Sequence, residues 1–527
     1  MLKLIIPGYI HVLNVMLAEN LYNYKIFTMS GSPFTILPPL LPMVLSIIMR
    51  LGVNAFTAYN ILNILSLLLS SVLLFFLVKK HHNNRLLPLL SVFFFVSTPS
   101  VLFHIVDYAP VLFFTVFVVS FIYLISCGEI YLAAAVAGVS TLVRMQGFLL
   151  LGFGILYILY RKHGNVFMYS VIGGVLPVIW CVRNAYFLMR VYGMPVRLIL
   201  SNPLIPYLGG VLLPDIVSSP FLPKPHILYF FVSSYLIPVT GVFVFIGLFK
   251  NRPDTMYLFY FTSFFLLSHI TLFGGMDNII RHLTPIAPLL GYYSARGFLL
   301  IRERVNLPLV CCVCILSLVF FAQFNIARVD VRKANLARGA MYDVVEWINL
   351  NVDDDSVVVD AVQVPHSISY SMRYSNKTIV LSPELIPHYT NNSWYVINQL
   401  TPMYPGGVPL EQADYIIVPD YVNYSISGEV VKEFSLLSYS LSVPTKILVV
   451  RNKDRRVFHL GTSKENTNKE TIKMIDEIVK EQKAKLVSMR ILTMLKRYDL
   501  NHPKDFMEAV GILTEIIKDK EIKEPND

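Results

Sequence analysis

Among the ionisable residues that interrupt the apolar part of this chain away from its basic turns, five stand out: Asp107, Arg144, Arg183, Asp277 and Arg281. Asn184 adjoins the third and His282 the last. An ionised side chain at membrane depth is costly, so such groups usually face an interior cavity and act there. Guanidinium groups are planar, permanently charged and able to donate in pairs, which suits a phosphate or pyrophosphate. Arg144, Arg183 and Arg281 on one cavity would attract such an anion strongly where the dielectric is low. A carboxylate beside them suits proton removal from an acceptor hydroxyl or amide. The chemistry expected of this set is transfer of a group from a membrane-anchored phosphate carrier. The plainer alternative is snorkelling at helix ends, which costs little for any single Arg.

Those residues need a membrane domain to position them, and the composition supplies one. Of 527 residues, 55% are hydrophobic and 15% charged, with a formal net charge of +10. Residues 1–325 carry 19 Lys+Arg and 7 Asp+Glu, whereas 326–527 carry 25 and 27. A wholly soluble or disordered chain is excluded. A nucleic-acid binder is not expected, because the basic excess lies among apolar stretches and not on a Lys/Arg-rich face. Cys127, Cys181, Cys311, Cys312 and Cys314 all fall in or beside apolar stretches. They lack partners at zinc spacing and read as small lipid-facing residues.

An apolar helix needs about 17–25 residues to cross lipid. Ten candidate segments run near 58–78, 86–103, 109–126, 130–144, 147–160, 167–186, 226–248, 255–273, 283–302 and 307–325. Short basic connectors occur at Lys79, Lys80 and Arg85, at Arg161 and Lys162, at Lys250 and Arg252, and at Arg302 and Arg304. Ten segments thread them onto one side, which the distribution of Lys and Arg makes cytoplasmic. The connectors at 104–108, 144–147, 187–225 and 274–282 then face outward, with residues 1–57 and 326–527. The five interrupting charges all map to that outward face, although other residues set the orientation.

The expected architecture is a polytopic α-helical membrane protein with an outer α/β domain and a helical tail. Residues 1–57 form an outer first loop with interfacial helices, and 58–325 the transmembrane domain. In 326–454, a helical stripe at Ala340–Leu350 precedes short β-branched runs at Ser356–Ala361, Lys377–Leu381, Asp414–Val418 and Lys446–Val450, the pattern of a small α/β domain. Sequons at Asn376, Asn391 and Asn423 support an outward location only weakly. Residues 455–527, with 15 Lys+Arg and 13 Asp+Glu, read as two amphipathic helices in a charged tail.

The motifs that carry these charges resemble the GT-C superfamily of polytopic glycosyltransferases. The nearest branches are the dolichyl-phosphate-mannose–protein mannosyltransferases and the bacterial lipid A aminoarabinose transferases. Leu17-Ala-Glu-Asn-Leu21 resembles the stretch after the family's first transmembrane helix. Leu37-Pro-Pro-Leu40 with Arg50-Leu-Gly52 is similar to its juxtamembrane Pro-Pro-Leu stretch, and Val106-Asp-Tyr-Ala-Pro110 to the acidic motif of its second outer loop. Leu142-Val-Arg-Met-Gln-Gly147 resembles the family's Leu-Thr-Arg/Lys-Pro-Glu-Gly break. Trp180-Cys-Val-Arg-Asn184, with Gly193 and Pro195, resembles its Trp-x-x-Arg-Asn and Gly-x-Pro pattern, and Arg281-His-Leu-Thr-Pro285 with Pro288 a helix start. The resemblance covers roughly 10–450.

It implies inverting transfer of a sugar from a polyprenyl- or dolichyl-phosphate-linked donor at the outer face, with a protein, lipid or glycan as acceptor. It implies an integral protein of the plasma membrane, in a prokaryote, with the carboxy-terminal domain outside. Arg144, Arg183 and Arg281 would contact the carrier phosphate, supported by Asn184 and His282. Asp107 and Glu19 would be the acids of the reaction. No cofactor is expected, and the outer loops hold no Asp-x-Asp pair for a metal.

The chain departs from the family where its first-loop Asp should stand, about ten residues before Ala18-Glu-Asn20. Pro7-Gly-Tyr-Ile-His11 is found there, and Glu19 is the only acid in residues 1–57. The family's first transmembrane helix has no counterpart. A misassigned start, a true truncation and a non-catalytic relative that binds lipid-linked sugar in surface glycan assembly are all consistent with this. A transporter of an anionic lipid is a third reading, but it expects inverted repeats and midplane charges, and neither is seen.

Overall fold

The computed structural model describes residues 9–29, 32–35, 37–107, 110–144, 146–162, 164–190, 196, 239–249, 284–353, 356–360, 378–380, 413–419, 424–425, 428–437, 444–452 and 459–460. Two compact units divide the chain: Met1–Ala340 with Leu437–Pro444, and Met341–Leu436 with Thr445–Asp527.

The first unit is helical. Among the described residues it holds α1 (Tyr9–Tyr24), the two-residue strands β1 (Thr28–Met29) and β2 (Ser32–Pro33), α2 (Leu40–Met49), α3 (Ala55–His81), α4 (Leu86–Ser97) and α5 (Pro99–Val106). There follow α6 (Val111–Cys127), α7 (Ile130–Thr141), α8 (Gly147–Arg161), α9 (Val166–Arg190), α10 (Gly241–Phe249), a 3-10 turn at Thr284–Ile286, α11 (Ala287–Val305) and the part of α12 (Leu309–Asn351) up to Ala340.

Local chemistry sets the breaks. Lys25, at φ 60, stops α1, and its ammonium donates to Tyr22 O at 2.6 Å. A cation there complements the negative end of the helix dipole. The Asn54 side chain caps α3 by accepting from Thr57 N at 2.8 Å, satisfying one of the helix's orphan donors. The apolar run near 86–103, expected as one span, is two helices bent by 59°. Pro99 causes this: it has no N–H to donate, and it holds Thr98 at ψ 129, out of the helical region.

Among the described residues, three helices are long and apolar enough to cross a membrane: Ala55–His81, Val166–Arg190 and Leu309–Arg332; the bent pair makes a fourth if counted as one span. Shorter apolar helices accompany them, and the chain is an integral membrane protein. Most of the expected segment 226–248 and all of 255–273 lie outside the described residues. The helix Leu309–Asn351 runs unbroken for 43 residues, through the position where the sequence suggests the membrane domain ends. No Pro or Gly occurs between Pro308 and Gly339 to stop it.

Small residues let helices approach closely, as expected where lipid gives no hydrophobic drive to association. A Cβ on Gly138 of α7 would collide with the carbonyl of Gly173 on α9. That contact is backbone, which cannot swing aside. Gly138→Val is expected to destabilise the helical unit by about 1–3 kcal/mol or more, read as a lower melting temperature in detergent. Gly152→Ala, which meets nothing within 4 Å, should leave it unchanged.

At the far end of α3, His82 Nε2 lies 2.8 Å from Tyr292 Oη of α11, and Arg296 donates to the same oxygen at 3.4 Å. Burial first, then the charges of Arg296 and His81, holds the His82 pKa below 6.5. The folded state therefore keeps His82 neutral where the unfolded chain would protonate it. Stability is full above about pH 6.5 and falls as pH drops below that value. A thermal melt across pH 5–8 should show this acid loss, reduced in His82→Gln.

The second unit contains a five-stranded sheet in the order β4 (Thr378–Val380), β3 (Val357–Asp360), β5 (Tyr415–Pro419), β8 (Pro444–Arg451), β7 (Glu429–Leu437). β3 runs parallel to β4 and to β5, with Val358 opposite Ile379 and Tyr415. β8 is antiparallel to β5, with Ile417 opposite Val449. Val357, Val358 and Val359 are buried in succession, as are Tyr415, Ile416 and Ile417, the continuous apolar pattern of strands covered on both faces. Val344, Val345 and Ile348 of α12 are buried here too, and Trp347 meets Phe434 edge-on at 6.5 Å. Two further strands, β6 (Tyr424–Ser425) and β9 (His459–Leu460), pair antiparallel. The three sequons and the rest of the charged tail lie outside the described residues.

Candidate active site

The described candidates gather around residues 13–63 of the first unit. α1 and α2 fold onto the start of α3 through one buried cluster: Val15, Ala18, Leu41, Leu45, Met49, Ala55, Ala58, Tyr59 and Leu62. Helical spacing produces it. Leu41, Leu45 and Met49 recur every four residues on one stripe of α2, while Met43 and Ile47 on the other side are exposed. Glu19 follows Ala18 on α1 and is half-buried at the edge of this cluster.

Between α1 and α2 runs a strap, Phe27–Leu40, tied at both ends. β1 and β2 turn it back on itself, with Thr28 opposite Pro33. Arg183 of α9 donates to Phe34 O at 3.0 Å and reaches Phe27 O at 3.5 Å. Asn184 Nδ2 donates to Thr35 O at 3.1 Å. The helix repeat explains this spacing: Trp180, Arg183, Asn184 and Phe187 share one face of α9. The guanidinium stands 4.8 Å from the Trp180 ring, 4.9 Å from Phe187 and 5.3 Å from Phe27, and its Nη1 also donates to Asn184 Oδ1 at 2.8 Å. A cation ringed by three aromatic faces is held firmly and kept partly dry.

The other end of the strap meets the break between α7 and α8. Leu40 N donates to Leu142 O at 3.1 Å, two residues before Arg144. Arg144 is half-buried in that turn, where its amide donates to Ser140 O at 3.0 Å and its carbonyl accepts from Gly147 N at 2.9 Å. The turn is so tight that a Cβ on Gly147 would strike Thr141 N and the Ser140 side chain. Leu40 is five positions beyond Thr35, so the two anchors of the strap lie within about 18 Å of each other. The Arg183–Asn184 pair and the Arg144 turn are thus brought to one short stretch of chain.

Asp107 closes α5 and is completely buried. His104 Nδ1 lies 3.2 Å from its Oδ2. Asn63, inside α3, donates from Nδ2 to His104 O at 3.2 Å and to Asp107 O at 2.8 Å. Asn63 thus joins α3 to the end of α5. Arg281, His282 and Asp277 lie outside the described residues; the turn that follows them, Thr284–Ile286, is fully buried.

Sequence reasoning singled out Arg183, Asn184, Arg144, Asp107 and Glu19, but not Asn63, His104, Phe27 or Phe187. An amide inside an apolar span was a signal for Asn63, as was a His three residues before Asp107. Phe27 and Phe187 looked like any other membrane aromatics. Among the described residues no group of three or more His, Cys, Asp or Glu is placed to hold a metal ion.

No protein-family model matches the chain, and no curated protein sequence matches it. Among solved structures, ArnT from Cupriavidus metallidurans in the apo state aligns with a TM-score of 0.50 at 12% identity, over 85% of this chain and 94% of that one. The same protein bound to undecaprenyl phosphate aligns with a TM-score of 0.48 at 12% identity, over 86% and 95%.

Proposed function

We propose that this chain, whose fold is the GT-C-like fold of ArnT, is a membrane glycosyltransferase. It transfers a sugar from a polyprenyl- or dolichyl-phosphate-linked donor to a protein, lipid or glycan acceptor at the outer membrane face. The observation that carries this reading is the strap: one short segment ties the Arg183–Asn184 pair to the Arg144 turn.

In this reading Arg144 and Arg183 hold the carrier phosphate as the glycosidic oxygen leaves, where fixed donors offset charge that develops in the transition state. Arg281 and His282 complete that anion site, and Asn184 keeps Arg183 in place. Asp107 takes the proton of the acceptor while Glu19, at the rim, orients it. The buried state of Asp107 is that of the free protein; contacts between base and substrate commonly form only in the complex.

A second reading, a non-catalytic relative that binds lipid-linked sugar, is favoured by one observation. Residues 1–57 offer Glu19 alone as an acid. Mass spectrometry of surface glycans after deletion of the gene tests the proposal. Loss of one sugar, restored by the wild-type chain, is expected and would name the sugar. The non-catalytic reading expects restoration to survive Asp107→Asn and Glu19→Gln combined. Glycans unaltered by the deletion would end both.

A further inference from the structure

We infer that Asn63 and His104 are positioning residues for the Asp107 carboxylate, an inference that rests on the glycosyltransferase reading above. α5 has only eight residues, so its last carbonyls need partners from outside the helix. Asn63 Nδ2 supplies two bonds at once, to His104 O at 3.2 Å and to Asp107 O at 2.8 Å. Asn63 is itself fully buried. A buried amide in an apolar helix is costly unless it is hydrogen-bonded, and here the bonds join α3 to the end of α5. The main chain at both 104 and 107 is thereby pinned to a long, rigid helix.

With that backbone fixed, the His104 ring lies three residues before Asp107 and against its carboxylate, Nδ1 to Oδ2 at 3.2 Å, both side chains fully buried. To act as a base Asp107 must be ionised, and an ionised carboxylate only accepts, so in that state Nδ1 is the donor. One bond to one oxygen sets the plane of the carboxylate, and the Phe103 ring, edge-on to the imidazole at 5.2 Å, limits the rotation of the imidazole. The result is a base oriented from behind by a donor that does not touch substrate, the arrangement in which small misplacements are expensive in rate.

The test uses the deletion strain described above, complemented with variants of the full chain. The readout is the rate at which the missing sugar returns after induction, per unit of chain in the membrane. His104→Leu removes the donor at similar size and should slow the return about tenfold to a hundredfold, as expected when an oriented group loosens. His104→Asn places an amide N–H near the former Nδ1 and should recover most of the rate. Asn63→Asp keeps shape but turns a donor into an acceptor facing two carbonyls, and should slow the return like His104→Leu. The double variant His104→Leu, Asp107→Asn should be no slower than Asp107→Asn alone, because a residue that acts only through Asp107 has nothing left to position. Wild-type rates in His104→Leu, or equal loss in His104→Leu and His104→Asn at equal membrane levels, would overturn the inference while leaving the glycosyltransferase reading intact. An Asp107→Asn chain as fast as wild type removes the inference alone, and a deletion that alters no glycan removes the reading and the inference with it.

Discussion

Arg183→Ala is expected to reduce sugar transfer at least about a hundredfold and to loosen the strap at the same time. Hydrogen bonds to a charged group contribute about 1.5–3 kcal/mol, and a partly desolvated cation–π contact up to about 2 kcal/mol. Arg183 makes both kinds, to Phe34 O and to three rings. Losing about 3 kcal/mol of this is already a factor of a hundred. Arg183→Lys should rescue little, because an ammonium is not planar and cannot stack on Trp180 while donating to Phe34. Limited trypsin digestion reads the strap directly: cleavage after the exposed Lys25 should be faster in Arg183→Ala. Asn184→Ala separates the two roles. It removes the bond to Thr35 and the Oδ1 that accepts from Arg183 Nη1, while Phe34 O and the three rings still hold the guanidinium. If Arg183 serves only as an anchor, both variants lose similar rate. If it also meets the phosphate, Arg183→Ala is much the slower. Arg183→Ala at the wild-type rate would remove it from the site.

These contacts show what the sequence could and could not convey. The break between α7 and α8 was legible because its cause is local, in the turn closed by Gly147, whereas the bend at Pro99 was passed over because the apolar run continues through it. The four β-branched runs coincide with β3, β4, β5 and β8, since a buried strand needs several apolar residues together. β7, Glu429–Leu437, alternates apolar residues with Lys432 and Glu433 and did not stand out. The continuity of Leu309–Asn351 was hidden by a change of composition near 326, which marks a change of surroundings and not of backbone.

The site was half legible for a similar reason. Charges announce themselves in an apolar background, so Asp107, Arg144 and Arg183 could be read. Their partners could not, because Arg183 is held by main-chain oxygens of Phe27 and Phe34 and every residue has one. A segment 149 positions earlier in the chain supplies that contact, and no periodicity encodes such a distance. Glu19 illustrates the converse: the sequence marks it as the only acid among residues 1–57, but its half-buried place on α1 follows only from the packing of α1 with α2 and α3.

Asp107→Asn is the substitution that separates chemistry from architecture, and about a 10²–10⁴-fold loss of transfer is expected, the range a positioned general base contributes. The change is isosteric and removes a charge and the ability to take a proton. The end of α5 should stay where it is. Asn63 holds it through the carbonyls of His104 and Asp107, which the substitution does not touch, and an Asn side chain still offers an oxygen to His104 Nδ1. The melting temperature in detergent should therefore move little while transfer collapses. Asp107→Ala would not be as informative, since it leaves the buried His104 donor without its partner, at a cost of about 1–3 kcal/mol or more. Glu19→Gln should cost less than Asp107→Asn, because a half-buried rim group shares its role with water. If instead Glu19→Gln abolishes transfer and Asp107→Asn does not, Glu19 is the base. The buried Asp107–His104 pair then serves to fix the end of α5.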